Sequence, residues 1–393
     1  MLKFQHLSSL MDAPLLYRQL HTQFRQWIQP KDKRHLQVFA ENVAAILHAQ
    51  SACLSHWITY LGHRDCQAHS HLERLSYFVN NDRITSETFY APIVRQFLKA
   101  WQNQSMLLTL DTSMLWDEYC LIEVCLAWGG RSFPLAQRVM EHGSAMVAFT
   151  DYVAVLNAAQ AVLPQGAHVT LLADRGFEHR ELILWLQAHH WSWFIRAKSD
   201  LKVTLNSGHR ETVAELLPPE NQASLFAQVE ILNGVECHLA TATVSQAQDS
   251  WAVVTSEPPS LQTFATYGQR FGGIEPHFKD YKSAAFDVPQ SRLRTAQGLS
   301  NLFMLLATAT LIALCASIEL ILEGQLKSID WHGERGLSFL QIGLRQIQRC
   351  CYLRQDIPTF RSLPQFNPPP AYASPVQRLI KNYQIEFSKV TLC

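Results

Sequence analysis

The chain has 393 residues, of which 48% are apolar and 17% charged. That is enough for two or three domains with a sizeable core, and it excludes a disordered or low-complexity chain. The formal net charge is zero, which excludes a uniformly basic nucleic-acid binder, but the charge is unevenly spread. Residues 1–105 carry 11 Lys and Arg against 7 Asp and Glu, and residues 280–393 carry 12 against 8. The centre, 106–279, has 10 against 18. Basic ends around an acidic centre suit ends that grip phosphates and a centre that holds metal cations. Nine cysteines form no CxxC pair, and MLKFQHLSSLMDAPLLYRQL carries no signal-peptide pattern. Reduced thiols in a cytoplasmic protein follow as the expectation.

Residues 1–105 read as a helical domain. VFAENVAAILHAQSACLSHWITYLG (38–62), SHLERLSYFVN (70–80) and TFYAPIVRQFLKAW (88–101) place apolar residues at helical period. The links QPKDKRH (29–35) and NNDR (80–83) are polar and partly basic, which suits a module that binds DNA ends, without a helix-turn-helix signature. Cys53, His56, His63, Cys66, His69 and His71 have spacings like those of zinc ligands. The helical pattern accounts for the cysteines as small buried residues, the plainer explanation of the series.

From 106 the pattern changes. MLLTLD (106–111) is a short apolar strand ending at Asp111, YCLIEVCLAW (119–128) a second, and RSFPLAQRVM (131–140) a third beyond the Gly129-Gly130 turn. A helix (151–164), a strand AHVTLLAD (167–174) ending at Asp174, a helix (178–190) and a strand WSWFIRAK (191–198) follow. The order β-β-β-α-β-α-β implies a mixed sheet with helices on its faces. If the first strand lies beside the fourth in parallel, Asp111 and Asp174 meet at the carboxyl edge where open α/β sheets bind ligands. Residues 199–255 break the alternation with β-branched runs and NSG and NG turns, predicting inserted antiparallel strands. TFATYGQRFGGIEPHFKDYKSAAF (263–286) returns to helix and carries Glu275. Two aspartates and a glutamate are hard oxygen donors, which suit a pair of divalent cations in phosphoryl transfer; a strand-end or helix-start cap is the plainer reading of each alone.

LFMLLATATLIALCASI (302–318) is strongly apolar, and 295–318 carries no charge. It is short for a membrane span, is broken by Thr308, Thr310 and Ser317, and leads into Glu319 and Glu323, so a buried core helix is expected and no membrane partner. RGLSFLQIGLRQIQRC (335–350) reads as an amphipathic helix. Six prolines between 358 and 375 mark a linker before PVQRLIKNYQIEF (375–387), a candidate terminal helix.

Over roughly 106–345 the chain resembles the DDE transposases of the bacterial insertion-sequence-four group. LTLDTS with Asp111, the block Asp174-Arg175-Gly176-Phe177, and Tyr267, Arg270, Glu275 and Lys282 carry the resemblance. They stand in the family's order, with its β insertion between the second aspartate and the glutamate. The resemblance implies an RNase H-like α/β core in two parts, 106–198 and 256–325. Around them lie a β insertion at 199–255, an N-terminal DNA-end-binding domain at 1–105, and a C-terminal helical region with a Pro-rich tail at 326–393. Asp111, Asp174 and Glu275 are then the catalytic residues and the ligands of two Mg²⁺ ions, with Mn²⁺ able to substitute. Tyr267, Arg270 and Lys282 would contact DNA phosphates. Trp251 stands where relatives stack a tryptophan on an extruded base, although a core tryptophan reads as well. Arg292 and Arg294 are candidate backbone contacts, or solvated arginines. The partners implied are double-stranded DNA, both the element's terminal inverted repeats and its target, and a second copy of the chain. The implied activity is cut-and-paste transposition of an insertion sequence in a bacterial cytoplasm: hydrolysis frees a 3′ end, a hairpin forms, and the strand is transferred. A nuclease that cuts without joining and an inactive DNA-binding repressor derivative are the alternatives.

The chain departs from the family's spacing at one place: four residues, not three, separate Arg270 from Glu275. At about 100° per residue, positions 267, 270, 275 and 282 fall near 0°, 300°, 80° and 60°. Gly272-Gly273 followed by Pro276 predicts a bulge or break, with Glu275 near a helix start.

Overall fold

Three apolar runs make an antiparallel meander: β1 (Ser105–Leu115), β2 (Tyr119–Trp128) and β3 (Arg131–Glu141). The computed structural model describes residues 14–61, 66–128, 131–245, 250–358, 362–363 and 387–393. The expected Gly129-Gly130 turn, His63 and most of the expected terminal helix (375–387) lie outside the described residues. Preceding the meander are α1 (Leu15–Trp27), α2 (Lys33–Ala49), α3 (Leu54–Trp57), α4 (Ala68–Val79), α5 (Ser86–Phe89) and α6 (Ala91–Phe97). Asp32 caps α2 by accepting from the Arg34 amide at 2.9 Å. Buried Glu41 of α2 pairs with Arg74 of α4 at 2.7 Å.

After the meander come α7 (Phe149–Gln160), β4 (His168–Ala173), α8 (Arg180–Ala188) and β5 (Ser192–Arg196). β1 runs parallel to β4 and β4 parallel to β5, giving the order β3-β2-β1-β4-β5. That is the RNase H-like mixed sheet flanked by helices. β6 (Lys202–Thr204), β7 (Arg210–Thr212), β8 (Gln222–Ile231), β9 (Val235–Thr243) and β10 (Trp251–Thr255) are antiparallel, as expected for the insertion. They extend the core sheet, because β10 pairs with β5. With β11 (Lys389–Leu392) alongside β8, the strands among the described residues form one sheet of 11.

Two helices then decide what is covered. α9 (Leu261–Lys279) crosses one face of the sheet, from β10 to β3. Tyr267 packs there on Leu172, Phe194 and Val253, a small cluster apart from the main core. α10 (Ala296–Leu322) is apolar all round and packs on β3, on α2 and on α11 (Phe339–Tyr352). It is long and apolar enough to cross a membrane, but 83% of its most apolar window is buried within the protein, so it is a core helix. The α10–α11 approach is very close: a Cβ on Gly343 would sit 1.7 Å from the Ala313 carbonyl oxygen, so only glycine fits.

Candidate active site

Asp111 does not end its strand as the sequence suggests. β1 continues to Leu115 because β2 pairs with it as far as Leu115↔Tyr119. What ends is the parallel ladder to β4, whose last pair is Leu110↔Ala173. Asp111 and Asp174 are the residues that follow this last pair, so the two carboxylates neighbour each other across the sheet despite the 62 residues between them.

Each carboxylate is oriented locally. Asp111 Oδ1 accepts from the Thr112 amide at 2.8 Å, and its Oδ2 accepts from Arg270 Nη2 at 2.7 Å. Asp174 caps the single turn Arg175–Phe177 by accepting from the Arg175 amide at 2.7 Å. Burial pushes the Asp111 carboxyl above the ordinary aspartate range; the Asp174 charge adds to this, while Arg270 and the Thr112 amide offset it. Two carboxylates held side by side, one of them resisting ionisation, are a donor set that fits a divalent cation.

The other expected residues divide. Arg270 is buried with only 6% of its side chain exposed, and it points at Asp111. Tyr267 is fully buried beside it, its hydroxyl without a hydrogen-bond partner among the described residues and pushed up to about 12 by burial. Glu275 is exposed. α9 has no break at Gly272-Pro276 but runs unbroken from Leu261 to Lys279, so Glu275 lies in the body of the helix and not near its start. The reason is packing: Tyr267, Arg270, Ile274 and His277 are all buried and occupy an arc from about 280° to 360° on the sheet side. Glu275, near 80°, is turned about 120° from the centre of that arc. The aspartates are therefore brought together, and Glu275 is not brought to them. Lys282 is exposed in the wide turn Asp280–Ala284 that follows α9.

Trp251 is half-buried, its ring edge-on to Phe264, Tyr267 and Phe271 at 6.1 to 6.4 Å between centroids. Arg292 is exposed and lines a cavity of about 690 Å³ with His56, Ser55 and Gln290. The Arg294 guanidinium stacks 3.8 Å over the Trp116 ring. The cysteine and histidine series of the N-terminal domain has separate partners: Cys66 Sγ meets His71 Nε2 at 3.1 Å, His56 meets Ser51, and His69 meets Glu73.

Sequence reasoning missed one buried group. Glu123 of β2 stands opposite Asp111 in register. Its Oε2 lies 2.9 Å from His277 Nε2 and 3.8 Å from Cys125 Sγ, while its Oε1 has no partner among the described residues. The three side chains are buried, with one ligating atom of each within 4.8 Å of the others. The signal was present, since Glu123 is the one charge in the apolar run YCLIEVCLAW. One strand further, Arg131 of β3 meets Asp280 at 3.5 Å.

Comparison with known proteins bears on the same region. A family profile described as "Transposase DDE domain" matches residues 122–312, a little under half of the chain. The match includes Asp174, Tyr267, Arg270, Glu275 and Lys282, and begins after Asp111. A solved structure of piggyBac transposase in a synaptic complex with hairpin DNA is similar at a TM-score of 0.42 and 10% identity, over 88% of this chain and 79% of that one. No curated protein matches.

Proposed function

We propose that the chain is a DDE transposase, a divalent-metal-dependent enzyme that cuts and joins DNA. The observation that carries this reading is the pairing of Asp111 and Asp174 at the end of the β1–β4 ladder, in a chain of which residues 122–312 match a transposase DDE domain. Within it, Asp111 and Asp174 would hold two Mg²⁺ ions, with Mn²⁺ as a substitute, and Glu275 would be the third ligand once it is turned towards them. Bound there, a divalent cation would supply Lewis-acid stabilisation of the attacking and leaving oxygens. The protein's own groups do the rest. Arg270, donating to Asp111, fixes that carboxylate's rotamer and places a cation beside the scissile phosphate. Exposed Lys282, Arg292 and Arg294 grip the DNA backbone without reading its sequence. Half-buried Trp251, packed against Phe264, Tyr267 and Phe271, would stack on an extruded base.

The finer reading is transposition of an insertion sequence of the insertion-sequence-four group: hydrolysis to a 3′-OH, hairpin formation, and transfer to target DNA. It includes action as a homodimer on paired element ends in a bacterial cytoplasm. Incubating the protein with DNA carrying the inverted repeats that flank its gene, plus supercoiled target and Mg²⁺, separates the possibilities. Joined products support transposition. Cleavage without joining identifies a nuclease, and binding without cleavage a repressor derivative.

A further inference from the structure

We propose that Glu123, Cys125 and His277 form a structural zinc site, separate from the aspartate pair, that ties α9 to β2.

Glu123 and Cys125 stand two positions apart on β2, so their side chains leave the same face of the sheet. α9 crosses that face and brings His277 Nε2 to 2.9 Å from Glu123 Oε2, which in turn lies 3.8 Å from Cys125 Sγ. One donor atom of each residue falls within 4.8 Å of the other two. With bonds of about 2.0 to 2.3 Å, the ligand atoms of a tetrahedral zinc ion stand about 3.3 to 3.8 Å apart, so small side-chain shifts admit the ion. Thiolate, imidazole and carboxylate together are the mixed donor set that zinc takes and that Mg²⁺ does not.

The second observation is an unused donor. Glu123 is fully buried, yet its Oε1 meets no hydrogen-bond partner among the described residues. The Tyr281 hydroxyl is also buried without a partner among the described residues, and its ring centroid lies 4.4 Å from that of His277. A hydrogen-bonded pair that was complete in itself would leave neither atom stranded. Without an ion, the cluster buries the Glu123 charge against a protonated His277 and leaves one carboxylate oxygen unused, a costly arrangement. With zinc, Cys125 Sγ releases its proton to solvent as the sulfur–zinc bond forms, and His277 binds as the neutral imidazole. One thiolate and one carboxylate then balance the two positive charges of the ion, and the buried site is neutral. The second carboxylate oxygen supplies a fourth donor.

The site has a structural consequence. Glu123 stands opposite Asp111 in the ladder, and α9 also carries Arg270, which donates to Asp111. Zinc at Glu123, Cys125 and His277 fixes that helix on the sheet one strand away from the aspartates. It does so with protein donors alone and needs no Mg²⁺ chemistry, so it holds or fails independently of the catalytic reading.

Cobalt in place of zinc tests this in the full-length protein, because a Co²⁺–thiolate bond absorbs in the near ultraviolet and a four-coordinate Co²⁺ ion absorbs strongly in the visible. The wild type should take up about one equivalent of Co²⁺ with both bands, and Zn²⁺ should displace it. Cys125→Ser, its folding checked by circular dichroism, should lose the thiolate band and bind Co²⁺ at least about tenfold more weakly. Asp174→Asn, at the aspartate pair, and Cys66→Ser, which removes the thiol beside His71 in the N-terminal domain, should both keep the band. If Cys125→Ser does not fold, His277→Gln takes its place and should lose affinity by the same factor. A wild type without a thiolate band, a band that survives in Cys125→Ser or vanishes in Cys66→Ser, or unchanged affinity in a folded His277→Gln would each overturn the proposal.

Discussion

Glu178 follows the Asp174 turn and accepts from the Lys198 amide at 2.6 Å. Burial raises its carboxyl from 4.5 to about 7, partly offset by that amide and by the Lys198 charge. A folded-state value above the unfolded one means that the native protein keeps a proton that the unfolded chain releases. Glu178 therefore lowers stability as pH rises from about 4.5 to about 7. Urea-unfolding free energies measured across that window should fall for the wild type more steeply than for Glu178→Gln; parallel curves would remove Glu178 from the balance. Glu123 shows what a sequence does and does not disclose at this scale. A lone charge in an apolar strand announces a buried, paired carboxylate, but its partner His277 lies 154 positions away and only the fold supplies it. Asp111 and Asp174 were legible because each closes an apolar run.

At the scale of elements, α9 and the turn after it are held to three successive strands by Arg270–Asp111, His277–Glu123 and Asp280–Arg131. His277→Leu strips buried Glu123 of its 2.9 Å histidine partner and should cost about 3–5 kcal/mol, read from the denaturant midpoint. Replacing both partners together with leucine should recover most of that loss, since it removes the stranded charge. Recovery of none of it would mean that the pair contributes packing alone. Gly343→Val forces α10 and α11 apart at Ala313 and should lower the melting temperature by an amount equivalent to about 1–3 kcal/mol. The break expected at Gly272-Pro276 is the instructive discrepancy. Pro276 removes one backbone bond, but Tyr267, Ile274 and His277 are buried on either side of it, and tertiary burial overrides a local defect. The early end expected for β1 fails for a related reason: antiparallel pairing to β2 outlasts parallel pairing to β4.

Over the whole molecule, strand types, their order and the buried apolar helix could be read from periodicity and turn residues. That the insertion strands would prolong the core sheet could not, because β5–β10 pairing leaves no local pattern. Net neutrality conceals basic ends, and this has a measurable consequence. Arg25 and Lys33 line a cavity of about 520 Å³ with His21 and Gln29 in the N-terminal helices. If both contact phosphates, converting them to Gln should weaken DNA binding uniformly across sequences. It should also reduce the slope of log K against log salt by about 2, at about 0.9 per phosphate. An unchanged slope would place the DNA elsewhere.

The aspartate pair bears most of the functional reading, and one comparison addresses it directly. Joining of a 3′-OH element end to supercoiled target in Mg²⁺ is measured for the wild type and for Asp174→Asn, with folding of both checked by circular dichroism. Loss of a metal ligand should slow joining by about a hundredfold or more, several kcal/mol of barrier, without unfolding the protein. Joining by a folded Asp174→Asn at the wild-type rate would contradict the assignment of the β1–β4 edge as the catalytic site.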